Sequence, residues 1–247
     1  GPATVSLSLN LGPVVPVRPD DPADQAAARL IDGLLNRQFL DPLLRGTYPE
    51  DVLAVRDRYT DGTFHRDGDE VIIAQPIDLL GVNYYFPTTL TARPGAAANP
   101  AYPGSEDIEF PAPKGPVTQM GWPIEPWGLT EILTRVAREY PGVPLMVTEN
   151  GAAFADKPDL DAGVVADPQR IDYLNTHIRA AADAVAQGAD LRGYFVWSLM
   201  DNFEWAEGYR PRFGLIYVDY RTQRRILKDS AHWYRSVIER NGPVDGV

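Results

Sequence analysis

Pro144-Leu145-Met146-Val147-Thr148-Glu149-Asn150-Gly151 runs from apolar residues into a carboxylate and then into an Asn-Gly pair that turns the backbone. A buried parallel strand presents one acidic side chain at the mouth of a barrel or sheet in this way. The stretch therefore predicts a strand that ends at Glu149, with the carboxylate at a functional edge of the fold.

Three other segments, 5–10, 77–85 and 193–199, also carry apolar residues toward a polar or aromatic residue. Because the carboxyl ends of parallel strands meet at one edge, their terminal side chains should lie close together. These strand ends predict one shared site, to which the following residues contribute: Asn10, Asn83, Tyr85, Glu149 and Trp197.

Helical spacing occupies segments 21–40, 129–140, 167–188 and 230–240, and the first has an acidic cap at Asp21 followed by Pro22. Alternating strands and helices predict an α/β fold built from βαβ units. Segment 88–116 is rich in Pro, Ala and Gly without periodicity, which predicts a long irregular loop. No repeat or linker is evident, so the sequence indicates one domain or part of one.

The bulk composition is that of an ordinary globular chain, with 247 residues, 44% apolar and 23% charged. No apolar run reaches the roughly 20 residues of a membrane helix. A net charge of −11 argues against nucleic acid and anionic membranes as partners. No signal peptide is visible, so a cytoplasmic location is expected, although a chain that begins Gly1-Pro2 does not show its true start.

A second group of candidate residues lies between Trp197 and Trp205, where two Trp residues flank Asp201, Asn202 and Glu204. Sugars present apolar C–H faces beside hydroxyls, so sugar sites combine aromatic platforms with carboxylates that accept hydrogen bonds. An aromatic core under a loop is the structural alternative, but it would bury several polar groups at a cost. The segment favours a carbohydrate site.

These motifs together resemble glycoside hydrolase family 1, the β-glucosidase family, over nearly the whole chain. The segments are similar to the family's barrel strands five to eight and their loops. In chain order they are Leu9-Asn10 with Pro13 and Pro16, Phe39-Leu40-Asp41-Pro42 with Gly46, Tyr48 and Pro49, Gly81-Val82-Asn83-Tyr84-Tyr85, Thr148-Glu149-Asn150-Gly151, and Gly193-Tyr194-Phe195 through Trp205 with Gly208-Tyr209 and Arg212-Phe213-Gly214-Leu215.

The resemblance implies a (β/α)8 TIM barrel of which residues 1–247 form the C-terminal half, with strands five to eight, their helices and long loops. It implies that Glu149 is the nucleophile of a retaining β-glycosidase and forms a covalent glycosyl intermediate. Tyr85 would donate a hydrogen bond to Glu149. No metal or cofactor is implied.

Six further residues are implied to bind the substrate, a terminal unphosphorylated β-D-glucoside or related β-glycoside. Glu204 would accept bonds from the 4- and 6-hydroxyls, and Trp197 would lie under the ring. Members that cleave 6-phospho-sugars carry a different, Lys-containing loop where this chain has Glu204-Trp205. The six residues are Asn83, Trp122, Trp197, Glu204, Trp205 and Phe213.

The family's acid/base Glu lies in an Asn-Glu-Pro motif that this sequence does not contain. We therefore expect the N-terminal half to be absent from this chain and to exist either as a separate polypeptide or as a segment missing from this sequence. Without it, the exposed strand edges are expected to drive self-association. Glu125, in a loop near Trp122, is disfavoured as a substitute acid. A non-catalytic carbohydrate-binding or structural fragment, a truncated pseudoenzyme, is the alternative.

The remaining candidates are interpreted as structural. His65, His177 and His232 have no ligand spacing, and Trp127 is expected to anchor its loop. The charged segment 221–228 is expected to be a solvated surface.

Overall fold

A computed structural model of the chain describes residues 3–244. These residues form two compact units, one made of residues up to 80 with 87–112, the other of 81–86 with residues from 113 onward. No helix among the described residues is both long and apolar enough to cross a lipid bilayer.

The first unit contains short strands and helices, and β3 begins in it and ends in the second unit. Its elements are β1 (Ser6–Asn10), β2 (Val14–Pro16), α1 (Pro22–Asp32), α2 (Gln38–Arg45), α3 (Glu50–Arg56), α4 (Asp69–Ile73), β3 (Leu79–Asn83), β4 (Thr88–Ala92) and β5 (Ile108–Glu109).

The helix predicted over 21–40 begins as expected, but it contains a π-helical turn and extends beyond residue 40. The Asp21 carboxylate accepts a hydrogen bond from the Ala23 amide, and Pro22 occupies the first turn. A π-helical turn over Gly33–Arg37 then joins α1 to α2, which continues to Arg45. The side chain of Asn36 in this turn is buried and bonded to both backbone groups of Gly12. Sequence periodicity does not show such a long-range contact.

The prediction of an irregular segment over 88–116 is wrong in part. Strand β4 pairs in parallel with β2 and antiparallel with β5. Leu90 and Ile108 pack with residues of α1 in a small core. These strands are at most five residues long, too short to give a periodic signal that stands out among Pro and Gly.

The second unit contains the remaining elements. They are α5 (Trp127–Glu139), β6 (Leu145–Asn150), β7 (Lys157–Asp159), β8 (Val164–Ala166), α6 (Pro168–Ala186), β9 (Leu191–Val196), β10 (Ile216–Asp219), β11 (Arg224–Leu227) and α7 (Asp229–Arg240).

The principal sheet has the strand order β1-β3-β6-β9. The backbone amide of Asp78 bonds to the Val5 carbonyl beside the start of β3, and β6 pairs in parallel with β9. Leu145 and Val147 of β6 are fully buried. Helix α6 packs over the sheet in a core that includes Leu174 and Ile178.

All four predicted strands and the three later helices are confirmed, with end positions that differ by a few residues. The differences matter at the strand ends. Tyr85 lies two residues beyond the end of β3, and Trp197 follows β9 directly. Both side chains therefore belong to the turns that leave the sheet.

Candidate active site

Glu149, near the end of β6, is held by Tyr85. The Tyr85 hydroxyl donates to Oε2 of Glu149 at 2.6 Å, and the Tyr84 amide bonds to the Glu149 carbonyl at 2.9 Å. Burial raises the pKa of Tyr85, and the hydrogen bond to Glu149 and then the charges of Glu149 and Glu204 raise it further. The Tyr85 hydroxyl therefore stays protonated at neutral pH, so it serves as a donor.

Asn150 fixes the backbone that carries Glu149, a role that the sequence reasoning did not assign. Its buried amide donates to the Tyr84 carbonyl at 2.8 Å and lies 3.1 Å from the Tyr173 hydroxyl. The Tyr194 hydroxyl of β9 donates to the Asn150 side-chain oxygen. The Asn150 side chain thus connects the residue after β3, helix α6 and strand β9 around Glu149.

Gly151 allows β6 and β9 to meet closely at this point. The Trp197 amide donates to the Asn150 carbonyl at 3.0 Å. A Cβ on Gly151 would lie 1.8 Å from the Trp197 carbonyl oxygen, which no side chain can tolerate. The absence of a side chain at Gly151 therefore lets Trp197 lie next to the strand of Glu149.

Asn83 ends β3 and faces its neighbour strand. The Thr148 hydroxyl donates to its Oδ1 at 2.6 Å. This bond orients the Asn83 amide so that its nitrogen, which has no bond to another described residue, is a donor for a ligand.

Glu204 and Trp197 lie together in the structure. The Trp197 indole donates to Oε1 of Glu204 at 3.1 Å, and the Asn202 amide donates to the same oxygen at 2.6 Å. Within residues 3–244, Oε2 of Glu204 has no hydrogen-bond donor, so one carboxylate oxygen is engaged and the other can accept bonds from a ligand.

The aromatic candidates occupy different environments. Trp122 lies against Tyr85 and Phe213, with ring centroids 5.3 and 5.9 Å apart. Phe213 is 1% exposed, so it supports Trp122 from within the protein. Trp205 is 83% exposed and its indole makes no hydrogen bond or ring contact with the other described residues.

A buried ion network supports the segment that carries Glu204. Asp201 accepts from Lys228 and Arg212, each at 3.0 Å, and Lys228 also contacts Asp156 at 2.5 Å. Arg170 joins the network through Asp156 at 3.0 Å. Burial and the nearby Arg170 charge lower the pKa of Lys228. The expectation that segment 221–228 is a solvated surface is therefore wrong for Lys228, which is fully buried.

The other candidates have local contacts. The Glu125 carboxylate accepts a bond from the Trp127 indole at 2.5 Å. The buried His177 ring stacks on Tyr173, and its Nδ1 lies 2.8 Å from the Tyr173 carbonyl. Burial lowers the pKa of His177 to about 4, so the ring is neutral at pH 7.

The chain belongs to glycosyl hydrolase family 1, whose family model matches residues 2–243. It is 50% identical, over its full length, to half of the thermostable β-glucosidase B of Thermobispora bispora. The psychrophilic β-glucosidase of Micrococcus antarcticus aligns with a TM-score of 0.91 and 44% identity, over 97% of this chain and 54% of that structure. The family 1 β-glucosidase of Thermotoga maritima aligns with a TM-score of 0.88 and 42% identity, over 98% and 52%.

The chain thus spans about half the length of the curated relatives it matches. These likenesses and the sheet order confirm the predicted fold class: the chain supplies four strands of a (β/α)8 barrel with their helices and loops.

Proposed function

We propose that this chain is the nucleophile-bearing half of a retaining β-glycosidase that hydrolyses terminal unphosphorylated β-D-glucosides or related β-glycosides. The observation that carries the proposal is the hydrogen bond of 2.6 Å from Tyr85 to Oε2 of Glu149 at the end of β6. A carboxylate with one oxygen held by a protonated phenol keeps its other oxygen for attack on an anomeric carbon.

Tyr85 positions Glu149 in this mechanism. The free oxygen of that carboxylate attacks the anomeric carbon as the bond to the aglycone oxygen breaks, the aglycone leaves with a proton from the acid/base group, and water then hydrolyses the glycosyl ester. Trp197 lies under the sugar ring while Glu204 accepts bonds from its hydroxyls, and Asn83 donates its amide hydrogens to the sugar. Trp122, supported by Phe213, lines the aglycone side. Trp205 is exposed beside Glu204. In the proposal, its exposed indole contacts the bound sugar.

The acid/base carboxylate is proposed to come from a complementary N-terminal half. Retaining glycosidases need two carboxyl groups about 5 Å apart, and general acid/base catalysis contributes about 10² to 10⁴-fold. Glu125 is a poor substitute because its carboxylate is bonded to the Trp127 indole.

Residues 1–247 are accordingly proposed to be the C-terminal half of a single barrel domain. Its partner would be the complementary half-barrel, or in its absence a second copy of the chain. The T. bispora, M. antarcticus and T. maritima relatives are named β-glucosidases, which supports a glucoside as the substrate. The cytoplasmic location stays a prediction.

The proposal is tested by co-expressing this chain with the half of the T. bispora enzyme that it does not match. The assembly is treated with 2,4-dinitrophenyl 2-deoxy-2-fluoro-β-D-glucoside, whose good leaving group needs no acid. We expect stoichiometric release of dinitrophenolate and a covalent sugar on the peptide that contains Glu149, and neither in the Glu149→Gln variant.

A folded assembly that stays unlabelled, under conditions that label the intact T. bispora enzyme, would reject the proposal. Sugar binding without labelling would support the alternative, a non-catalytic carbohydrate-binding fragment.

A further inference from the structure

We infer that Asn202 is a positioning residue that orients the Glu204 carboxylate toward the sugar. The inference rests on the proposed function, in which Glu204 binds the sugar hydroxyls. The Asn202 amide nitrogen lies 2.6 Å from Oε1 of Glu204, shorter than the 3.1 Å from the Trp197 indole to the same oxygen. A short hydrogen bond to an ionised acceptor is among the strong ones in proteins.

The orientation of the Asn202 amide is fixed by its surroundings. Its nitrogen faces two groups that only accept, the Glu204 carboxylate and the Phe203 carbonyl at 3.1 Å. Its oxygen lies 2.9 Å from the Ser198 hydroxyl, whose one hydrogen also faces the Met200 carbonyl at 2.7 Å. The reverse orientation would place the amide oxygen against the carboxylate, so the observed one is the stable arrangement.

Ser198 connects this contact to the rigid part of the fold. It is buried, its amide bonds to the Phe213 carbonyl at 3.2 Å, and its carbonyl accepts from the Leu215 amide at 2.9 Å. The contacts from Ser198 to Asn202 and from Asn202 to Glu204 therefore fix the position of the Glu204 carboxylate relative to the end of β9.

The consequence for the sugar lies in the two oxygens of Glu204. Asn202 and Trp197 both donate hydrogen bonds to Oε1, and this directs Oε2 away from the protein donors. Without Asn202 the carboxylate keeps one donor and can rotate, so its bonds to the sugar become weaker. Asn202 also donates to the Phe203 carbonyl, so its role could be to stabilise the turn alone. The test must separate this structural role from the orientation of Glu204.

The test uses the co-expressed assembly and a double-mutant cycle between Asn202→Ala and Glu204→Gln, with 4-nitrophenyl β-D-glucoside as substrate. We expect Asn202→Ala to lower kcat/KM about 10- to 100-fold, the effect of a lost hydrogen bond to a charged group. In the Glu204→Gln background the same change should cost less than about 3-fold. With the β-D-xyloside, which lacks the hydroxymethyl group, the loss should also be smaller.

Asn202→Asp is the isosteric second variant, because it keeps the acceptor for Ser198 and places a carboxylate against Glu204. It should lower kcat/KM at least as much as the alanine variant. Tyr220→Phe is the matched control, since among residues 3–244 the Tyr220 hydroxyl bonds only the Asn202 backbone carbonyl, at 3.3 Å. It should leave kcat/KM within about 2-fold.

Equal losses from Asn202→Ala in both Glu204 backgrounds, or full activity of Asn202→Asp, would overturn the inference and leave Asn202 as a structural residue. Failure of the proposed function gives a different result, because the unsubstituted assembly would then neither turn over the glucoside nor become labelled.

Discussion

The phenolic oxygen of Tyr85 lies 2.6 Å from Oε2 of Glu149, and Tyr85 is the donor of this bond. Tyr85 follows the end of β3 and Glu149 lies near the end of β6, adjacent strands in the sheet. The contact therefore depends on strand pairing as well as on the two side chains.

Replacing Tyr85 by Phe removes this donor and keeps the ring that packs on Trp122. We expect the rate of Glu149 labelling by the fluoroglucoside to fall about 10- to 100-fold, because a hydrogen bond to a charged group is lost. Stopped-flow release of dinitrophenolate measures it. Tyr59→Phe is the control, since Tyr59 is exposed and bonds Glu106. An unchanged labelling rate in Tyr85→Phe would remove Tyr85 from the mechanism.

Gly151→Ala should destabilise the fold and disturb the site together. The new methyl group would lie 1.8 Å from the Trp197 carbonyl oxygen, so backbone must move. We expect a loss of about 2–4 kcal/mol in the free energy of unfolding, measured by urea denaturation of the assembly. Gly115→Ala is the control, because a Cβ there meets nothing within 4 Å. Equal stability of the two variants would contradict the close approach.

Lys228→Met should destabilise the protein strongly, although methionine is close to lysine in size. It leaves Asp156 and Asp201 buried with less positive charge, and breaking a buried pair in this way costs about 3–5 kcal/mol. Arg225→Met changes the charge equally on an exposed neighbour, and we expect it to change stability by less than about 0.5 kcal/mol. Urea denaturation midpoints compare the stability of the two variants. Similar midpoints would refute the proposal that the buried ion network stabilises the fold.

The contrast between Glu149 and Lys228 shows what the sequence reveals. The continuous apolar run before Glu149 and the motif Thr148-Glu149-Asn150-Gly151 around it make this residue a candidate from the sequence alone. The sequence does not predict the burial of Lys228, because its partners lie 72 and 27 residues away. A charged residue is buried only when the fold supplies its counter-ions, and no local pattern reports that. The sequence shows Asn202 as a polar residue among aromatics, but its bond to Glu204 depends on the turn after β9.

His177 should make stability depend on pH between about 4 and 6.5. Its pKa is lowered by burial to about 4 from an unfolded value of 6.5, so in this window the unfolded state binds more protons. Stability therefore rises as pH rises through the window and falls as pH drops, by roughly 3 kcal/mol in total from this group. Urea denaturation at several pH values measures this change in stability.

His177→Gln should flatten the dependence of stability on pH, whereas the exposed His232→Gln should not. Identical pH profiles for the unsubstituted protein and both variants would reject the assignment to His177.

The purified chain, without a complementary half, should associate rather than remain a monomer. In the described sheet β9 is paired along one edge only, and two apolar side chains at this end, Phe195 and Leu199, are 56% and 64% exposed. Unpaired edges with apolar faces promote association. Light scattering after gel filtration should show dimers or larger species, and adding the complementary half should convert them to a one-to-one complex.

The double variant Phe195→Glu with Leu199→Glu should weaken both self-association and binding of the complementary half. Phe64→Glu, at a site 67% exposed in the first unit, should weaken neither. A folded, monodisperse monomer of the unsubstituted chain would contradict the proposal that it needs a partner.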